Sequence, residues 1–230
     1  MRPLKIDHQN LSDRIFGDLK DRIMRWEFRP GDRLIDSDIA EQYGVSRSLV
    51  RNAITLLVGE GLVEIHRRRF YVARYSQKDV RDMLKLRRLL ELSSIKATIQ
   101  RTTDAEFAEM ETKMAEAERQ IADGKLESFY ALDVLTHQMI IEKSDNEYIK
   151  KVYANLQTIL GIVIRSDFDK YSKISESFAE HKALFEAWKR RDVAATTEAL
   201  AHHLDGAETR VMENFAPNQP PEEDEEPSSA

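Results

Sequence analysis

Gly44-Val45-Ser46-Arg47-Ser48-Leu49-Val50-Arg51 is the stretch that decides how the first third of the chain folds. Gly44 supplies a tight turn, and Ser46 stands where its side chain can cap a helix predicted over 47–59. Helical spacing puts Ser48, Arg51, Asn52 and Thr55 on one face, with Arg47 at the N-terminal entrance, and turns Leu49, Ala53, Leu56 and Leu57 inward. Upstream, Leu11, Ile15, Leu19, Ile23 and Met24 predict an amphipathic helix over 9–27, broken by Pro30-Gly31-Asp32. Leu34-Ile35 reads as a short strand and 37–43 as a helix. Downstream, Gly61 ends the second helix of the pair. Leu62-Val63-Glu64-Ile65 and Phe70-Tyr71-Val72-Ala73 follow as two strands joined by Arg67-Arg68-Arg69. A winged helix-turn-helix domain over residues 1–75 is the expectation.

Such a helix enters the DNA major groove by its N-terminus, where an arginine can pair bidentately with guanine. Ser46, Ser48 and the first helical amides suit phosphate. Arg67, Arg68 and Arg69 at a hairpin tip suit backbone phosphate or the minor groove. A solvated polar helix face is the plain alternative, and it leaves the turn glycine, the cap and the basic wing unexplained together.

From Ser76 onward the pattern is helical, with helices expected near 77–101, 104–123, 126–142, 145–166, 174–190 and 193–214. Ser76, Thr103, Asp145 and Asp192 are the expected caps. Val80, Leu84, Leu86, Leu89, Leu90, Ile95 and Ile99 spread around most of the first of these helices, so it is buried in a bundle or shared with a partner subunit. The expected fold class is mostly α: a winged helix-turn-helix domain, then an antiparallel helical bundle over 76–215. Residues 216–230, rich in Pro, Glu and Ser, are expected to be a disordered acidic tail.

Within the bundle, Asp133 and His137 are four residues apart and share one helix face. His181 and His203 lie on two successive helices that a short turn at 191–192 folds antiparallel. Three imidazoles and a carboxylate suit a divalent ion such as Zn, Ni, Mn or Fe, with positions left for water or a carboxylate ligand. His8, His66 and His202 are expected at the surface.

Composition bounds the partners. The 230 residues are 41% apolar and 33% charged, with no cysteine, which removes disulfides and thiolate ligands and fits a cytoplasmic setting. No apolar run approaches the ~20 residues needed to span a membrane. Residues 1–75 carry 14 Lys and Arg against 11 Asp and Glu, whereas residues 76–230 carry 21 against 30. DNA contact is thereby expected at one end only.

Arg29-Pro30-Gly31-Asp32-Arg33-Leu34, Ile39-Ala40, Gly44-Val45-Ser46-Arg47, Val50-Arg51-Asn52-Ala53 and Gly61-Leu62-Val63 resemble the N-terminal domain of GntR-family bacterial repressors. The resemblance implies DNA contacts at Ser46, Arg47, Ser48 and Arg51. Arg33, Asn52, Arg67, Arg68 and Arg69 complete the candidate set. Two departures are Arg69-Phe70 where a wing glycine is usual, and Ser37 where a charged residue is common. Leu86-Arg87-x2-Leu90-Glu91, Asp133-x3-His137, Asn146, Glu180-His181 and His202-His203-Leu204 resemble the FCD effector domain of the FadR-like subfamily. That implies a small organic acid as effector, bound through a metal at Asp133, His137, His181 and His203. Arg87 would lie in or near the cavity and pair with the acid, unless it serves only as an i,i+4 partner of Glu91. Arg165 is a further candidate.

The expected molecule is a homodimer on a pseudo-palindromic operator, a non-enzymatic regulator and most simply a repressor. Two other readings compete. The metal can be the signal itself, or purely structural, with no organic effector. A metal-dependent hydrolase with Glu180 as base is chemically conceivable. That reading finds no zinc-protease motif or phosphate loop and leaves the DNA-reading domain without a role.

Overall fold

Helix α1 (His8–Met24) turns Ile15, Leu19 and Ile23 into the interior at four-residue spacing. The computed structural model describes residues 8–165 and 173–214, and the backbone passes from one compact unit to another between Ser76 and Gln77. α1 holds the whole apolar pattern but ends three residues before the expected 27, and Trp26 just beyond it adopts a left-handed backbone, φ 63°. It is followed by β1 (Arg33–Leu34), α2 (Asp36–Tyr43), α3 (Arg47–Gly59), β2 (Val63–His66) and β3 (Arg69–Val72). The strands form an antiparallel sheet in the order β1-β3-β2, with Leu34 opposite Phe70 and Val63 opposite Val72. α3 packs against α1 and α2.

Local signals explain the turn between α2 and α3. Gly44, at φ 64°, closes α2 with its N–H on the Ala40 and Glu41 carbonyls, and the Ser46 hydroxyl accepts from the Leu49 amide. The inward face of α3 differs from the expected one. Val50, Ala53, Ile54 and Leu57 are buried, Leu49 is half-buried, and Leu56 is 46% exposed. The buried set is the unbroken i, i+3, i+4, i+7 stripe, and Val50, Ile54 and Leu57 each contribute ~1.5–3 kcal/mol by leaving water. Ser48, Arg51, Asn52 and Thr55 are all exposed, as their face requires. The wing tip is shorter than expected. His66 pairs with Arg69, so Arg69 belongs to β3 and the turn is Arg67-Arg68 alone, at φ 47° and 64°.

The second unit contains α4 (Gln77–Arg101), α5 (Asp104–Ala122), α6 (Glu127–Glu142), α7 (Glu147–Arg165), α8 (Ile174–Lys189) and α9 (Val193–Asn214). α4 packs against α6 and α9, α9 against α8, and α5 against α6 and α8. Phe107, Met110, Phe129, Leu132 and Trp188 lie at the centre, with the Trp188 indole N–H donating to the Thr102 hydroxyl at 3.1 Å. Thr103 caps α5 in a reciprocal capping box with Glu106, and Asp192 accepts from the Ala195 amide. At the start of α7 the cap is Asn146, whose side-chain oxygen accepts from the Tyr148 and Ile149 amides, and not Asp145, which pairs with Arg101 instead. α4 buries Val80, Leu84, Ile95 and Ile99 but leaves Leu86 and Leu89 39% and 67% exposed. The Arg165 side chain and residues 216–230 lie outside the described part of the chain. No described helix is long and apolar enough to cross a membrane.

Candidate metal centre and nucleic-acid interface

Three helices deliver the candidate ligands to one point. α6 places Asp133 and His137 one turn apart, α8 brings His181, and α9 brings His203. One ligand atom from each lies within 4.8 Å of all the others. The imidazoles are buried, and only the Asp133 side chain, 27% exposed, reaches solvent. His137 Nε2 is 3.1 Å from His203 Nε2 and 3.7 Å from Asp133 Oδ1. His181 Nε2 is 3.1 Å from Asp133 Oδ1.

The outer ring nitrogens fix what the inner ones can be. His137 Nδ1 donates to Glu91 Oε2 at 2.6 Å, His203 Nδ1 to Glu180 Oε2 at 2.9 Å, and His181 Nδ1 to the Ser177 carbonyl at 2.8 Å. Each acceptor selects the tautomer with its proton outside, so in their neutral forms the three imidazoles turn Nε2 lone pairs inward beside a carboxylate. His181 Nε2 is buried and has no hydrogen-bond partner of good geometry despite its closeness to Asp133. In those neutral forms four acceptors converge without a donor, which suits a cation. The donor set and the orphaned, buried Nε2 therefore fit a divalent metal ion.

Electrostatics separate two of the imidazoles: His203 is favoured neutral, whereas His137 is drawn toward its protonated form by the carboxylates around it. Burial, reinforced by the neighbouring His181, pushes His203 down to about 3, so this imidazole stays neutral. For His137 burial and Arg87 pull downward, yet Glu91 and Asp133 outweigh them and raise it. Burial would lift the Glu91 carboxyl, but the charges of His137 and Arg87 prevail and hold it at about 2. Glu180 is likewise held at about 2, burial being outweighed by hydrogen bonds from Arg210 and His203.

Much of this outer shell is not evident from the sequence. Glu91 is wholly buried and accepts from Arg87 Nε at 2.7 Å and the Tyr153 hydroxyl at 2.8 Å as well as from His137. Arg87 therefore does form its i,i+4 pair, and its Nη groups have no hydrogen-bond partner among the described residues. Glu180 is gripped by both Nη groups of Arg210, which leaves it unsuited to act as a free base. His66 and His202 are exposed, and the His8 side chain lies outside the described residues.

On the other unit, Arg47 and Arg51 project from the first turns of α3. Both are tied to Asp36 at the start of α2, Arg47 Nη2 to Oδ1 and Arg51 Nη1 to Oδ2, each at 2.9 Å. The Arg51 guanidinium also lies over the Phe70 ring, 5.1 Å from its centroid. Arg33, Ser46, Ser48, Asn52, Arg67, Arg68 and Arg69 are exposed.

Comparison with known proteins joins the two units. Residues 11–72 match the model for bacterial regulatory proteins of the gntR family, and residues 82–206 match the FCD domain. The HTH-type transcriptional regulator YdhC of Bacillus subtilis is 26% identical over 81% of this chain and 85% of its own length. The HTH-type transcriptional repressor RspR of Escherichia coli is 25% identical over 85% of this chain and 86% of its own. Among solved structures, Escherichia coli McbR/YncC superimposes with a TM-score of 0.75 at 20% identity, over 90% of this chain and 99% of that one. The matching families and relatives are transcriptional regulators, not enzymes.

Proposed function

Because the chain belongs to the FCD-domain transcriptional regulators of the gntR family, we propose that it is a homodimeric, cytoplasmic repressor released from its operator by a small carboxylate bound at a metal centre. The observation that carries the effector half is the convergence of ligand atoms from Asp133, His137, His181 and His203 on one point, with the buried His181 Nε2 left without a hydrogen-bond partner. A Zn, Ni, Mn or Fe ion held by these four residues would supply a Lewis-acidic point for an acid's carboxylate. Glu91, Glu180 and the Ser177 carbonyl hold the imidazoles in register for it. Arg87 feels the Asp133 charge and keeps its Nη groups without a described partner, which suits it to pair with an incoming carboxylate.

The DNA half rests on α3 and the wing. Arg47 and Arg51 face outward to read base edges, Ser46, Ser48, Asn52 and Arg33 lie beside them for phosphate or base contacts, and Arg67, Arg68 and Arg69 extend the basic surface. A second copy would present the same helix to the other half-site of a pseudo-palindromic operator. Effector binding needs only a ~1–3 kcal/mol preference between two states to change operator affinity. That two relatives are named repressors supports this sense of regulation.

Thermal unfolding of metal-replete protein against a panel of hydroxy acids, sugar acids and dicarboxylates tests the reading. An acid at ~100 times its dissociation constant adds ~2.7 kcal/mol, and its shift should vanish after chelation. Operator affinity that follows added metal with no acid present would favour a metal-sensing regulator instead. Unchanged metal content in a His137→Ala/His181→Ala double variant would remove the centre altogether.

A further inference from the structure

We propose that Glu180 is a positioning residue for a metal ion at the histidine cluster, seated by Arg210 in a notch that only Gly206 leaves open; the inference rests on the metal-centred reading above. His203, Gly206 and Arg210 follow one another along α9 at spacings of three and four, which places them on one helix face. Glycine is the poorest helix former after proline, and Gly206 is not at a positive φ that would require it. Space is the reason for it. A Cβ at this position would sit 2.6 Å from Glu180 Oε1 and 2.9 Å from Arg210 Nη1.

Those two atoms belong to a closed set of bonds. Glu180 Oε1 accepts from Arg210 Nη1 at 2.7 Å, and Oε2 accepts from Arg210 Nη2 at 2.6 Å and from His203 Nδ1 at 2.9 Å. Both side chains are flexible at their ends, so a methyl group at 206 can be accommodated, but only by moving the carboxylate. Moving it releases His203 Nδ1–H, and with it the constraint that keeps the Nε2 lone pair aimed at Asp133, His137 and His181. The arginine has a second effect: it balances the charge of a carboxylate lying directly behind a ligand, so the cluster gains orientation without a further uncompensated anion. Arg87 and Glu91 repeat the arrangement behind His137.

The test is a competition titration of the full chain with Zn²⁺ and Ni²⁺ against a chromophoric chelator, alongside melting of the chelated protein. Gly206→Ala, Glu180→Ala and Glu180→Gln are compared with Gly17→Ala, a helical glycine with nothing within 4 Å of the added Cβ. Loss of an outer-shell partner of this kind weakens metal binding ~10–100-fold. The expected result is that loss in Gly206→Ala and Glu180→Ala, and a smaller one in Glu180→Gln, which keeps an oxygen for Nδ1–H. Gly17→Ala should bind metal as the wild type does, and the chelated Glu180→Gln variant should melt near the wild-type temperature. Wild-type affinity in all three test variants would overturn the role of Glu180 and leave the metal centre standing. Should Gly206→Ala fail to fold, the two Glu180 variants decide alone. A wild-type chain that takes up neither ion would overturn the metal-centred reading itself, and this inference with it.

Discussion

Asp36 shows how much one side chain can organise. It lies eleven residues from Arg47 and fifteen from Arg51, yet it joins the two arginines proposed to contact DNA. Burial draws its carboxyl upward, but the hydrogen bonds from Arg51 and Arg47 outweigh burial and hold it below its ordinary value of 3.8. A carboxyl depressed in the folded state stabilises fully above its unfolded value and loses that contribution as the pH falls through the folded one. Asp36→Asn should therefore be less stable than the wild type at neutral pH, with the gap closing below about pH 4; a constant gap down to pH 2 in chemical denaturation would contradict this. Arg51→Ala should lose ~1–3 kcal/mol at an operator guanine, read as a change in operator affinity at fixed salt. The four candidate ligands were legible because aspartate and histidine at i,i+4 and two further histidines on neighbouring helices form a chemical pattern. Glu91 and Glu180 were not, since each meets its histidine across 46 or 23 residues, and a glutamate on a charged helix carries no mark of burial.

Among the secondary-structure elements, the hairpin between β2 and β3 is the least expected. Asn-Gly is the usual sequence for a two-residue turn with both central φ positive, whereas this one uses two arginines. Each non-glycine residue held there costs ~1–2 kcal/mol. The strain and the basic charge sit together at the wing tip. Arg67→Asn/Arg68→Gly should raise stability by ~1–3 kcal/mol in denaturant unfolding and reduce the salt dependence of DNA binding by up to ~2 in slope. A stability gain with unaltered DNA binding would remove the tip from the interface. α4 makes a second case. Its apolar residues were read as spread around the helix, and Leu86 and Leu89 do remain exposed on it in a single chain. If α4 is shared between subunits, Leu89→Glu should shift the protein to monomer in sedimentation, and a persistent dimer would place the subunit contact elsewhere. The turn and caps around α3 were readable because Gly44 and Ser46 act on their immediate neighbours. Its inward face was misjudged by about one residue, since Leu49, Val50, Leu56 and Leu57 offer two overlapping stripes and only packing against α1 and α2 selects between them.

For the molecule as a whole, two signals at opposite ends of the chain made the architecture legible: a turn-and-wing pattern before residue 76, and uninterrupted helical periodicity after it. The candidate centre ties together helices far apart in sequence. Its ligands come from α6, α8 and α9, and α4 supports it through Arg87 and Glu91. Filling it should act on the whole helical unit. Metal at ~1,000 times its dissociation constant should add ~4.1 kcal/mol to folding. Scanning calorimetry before and after chelation checks this, and a transition that does not move would sink the metal centre.

Burial also sets a clock. The three imidazoles are 1–2% exposed, and Asp133 is the one member of the cluster that meets water. On the proposed reading, an ion must leave past a single carboxylate with its other ligands locked from behind, whereas an acid has only to reach the outer side of the centre. The two inputs then run at different speeds. On that reading acid would be sensed within a response, while metal would be a memory of the conditions under which each molecule folded. Cells deprived of metal would keep regulating with old copies of the protein, and the response would fade at the pace of protein turnover.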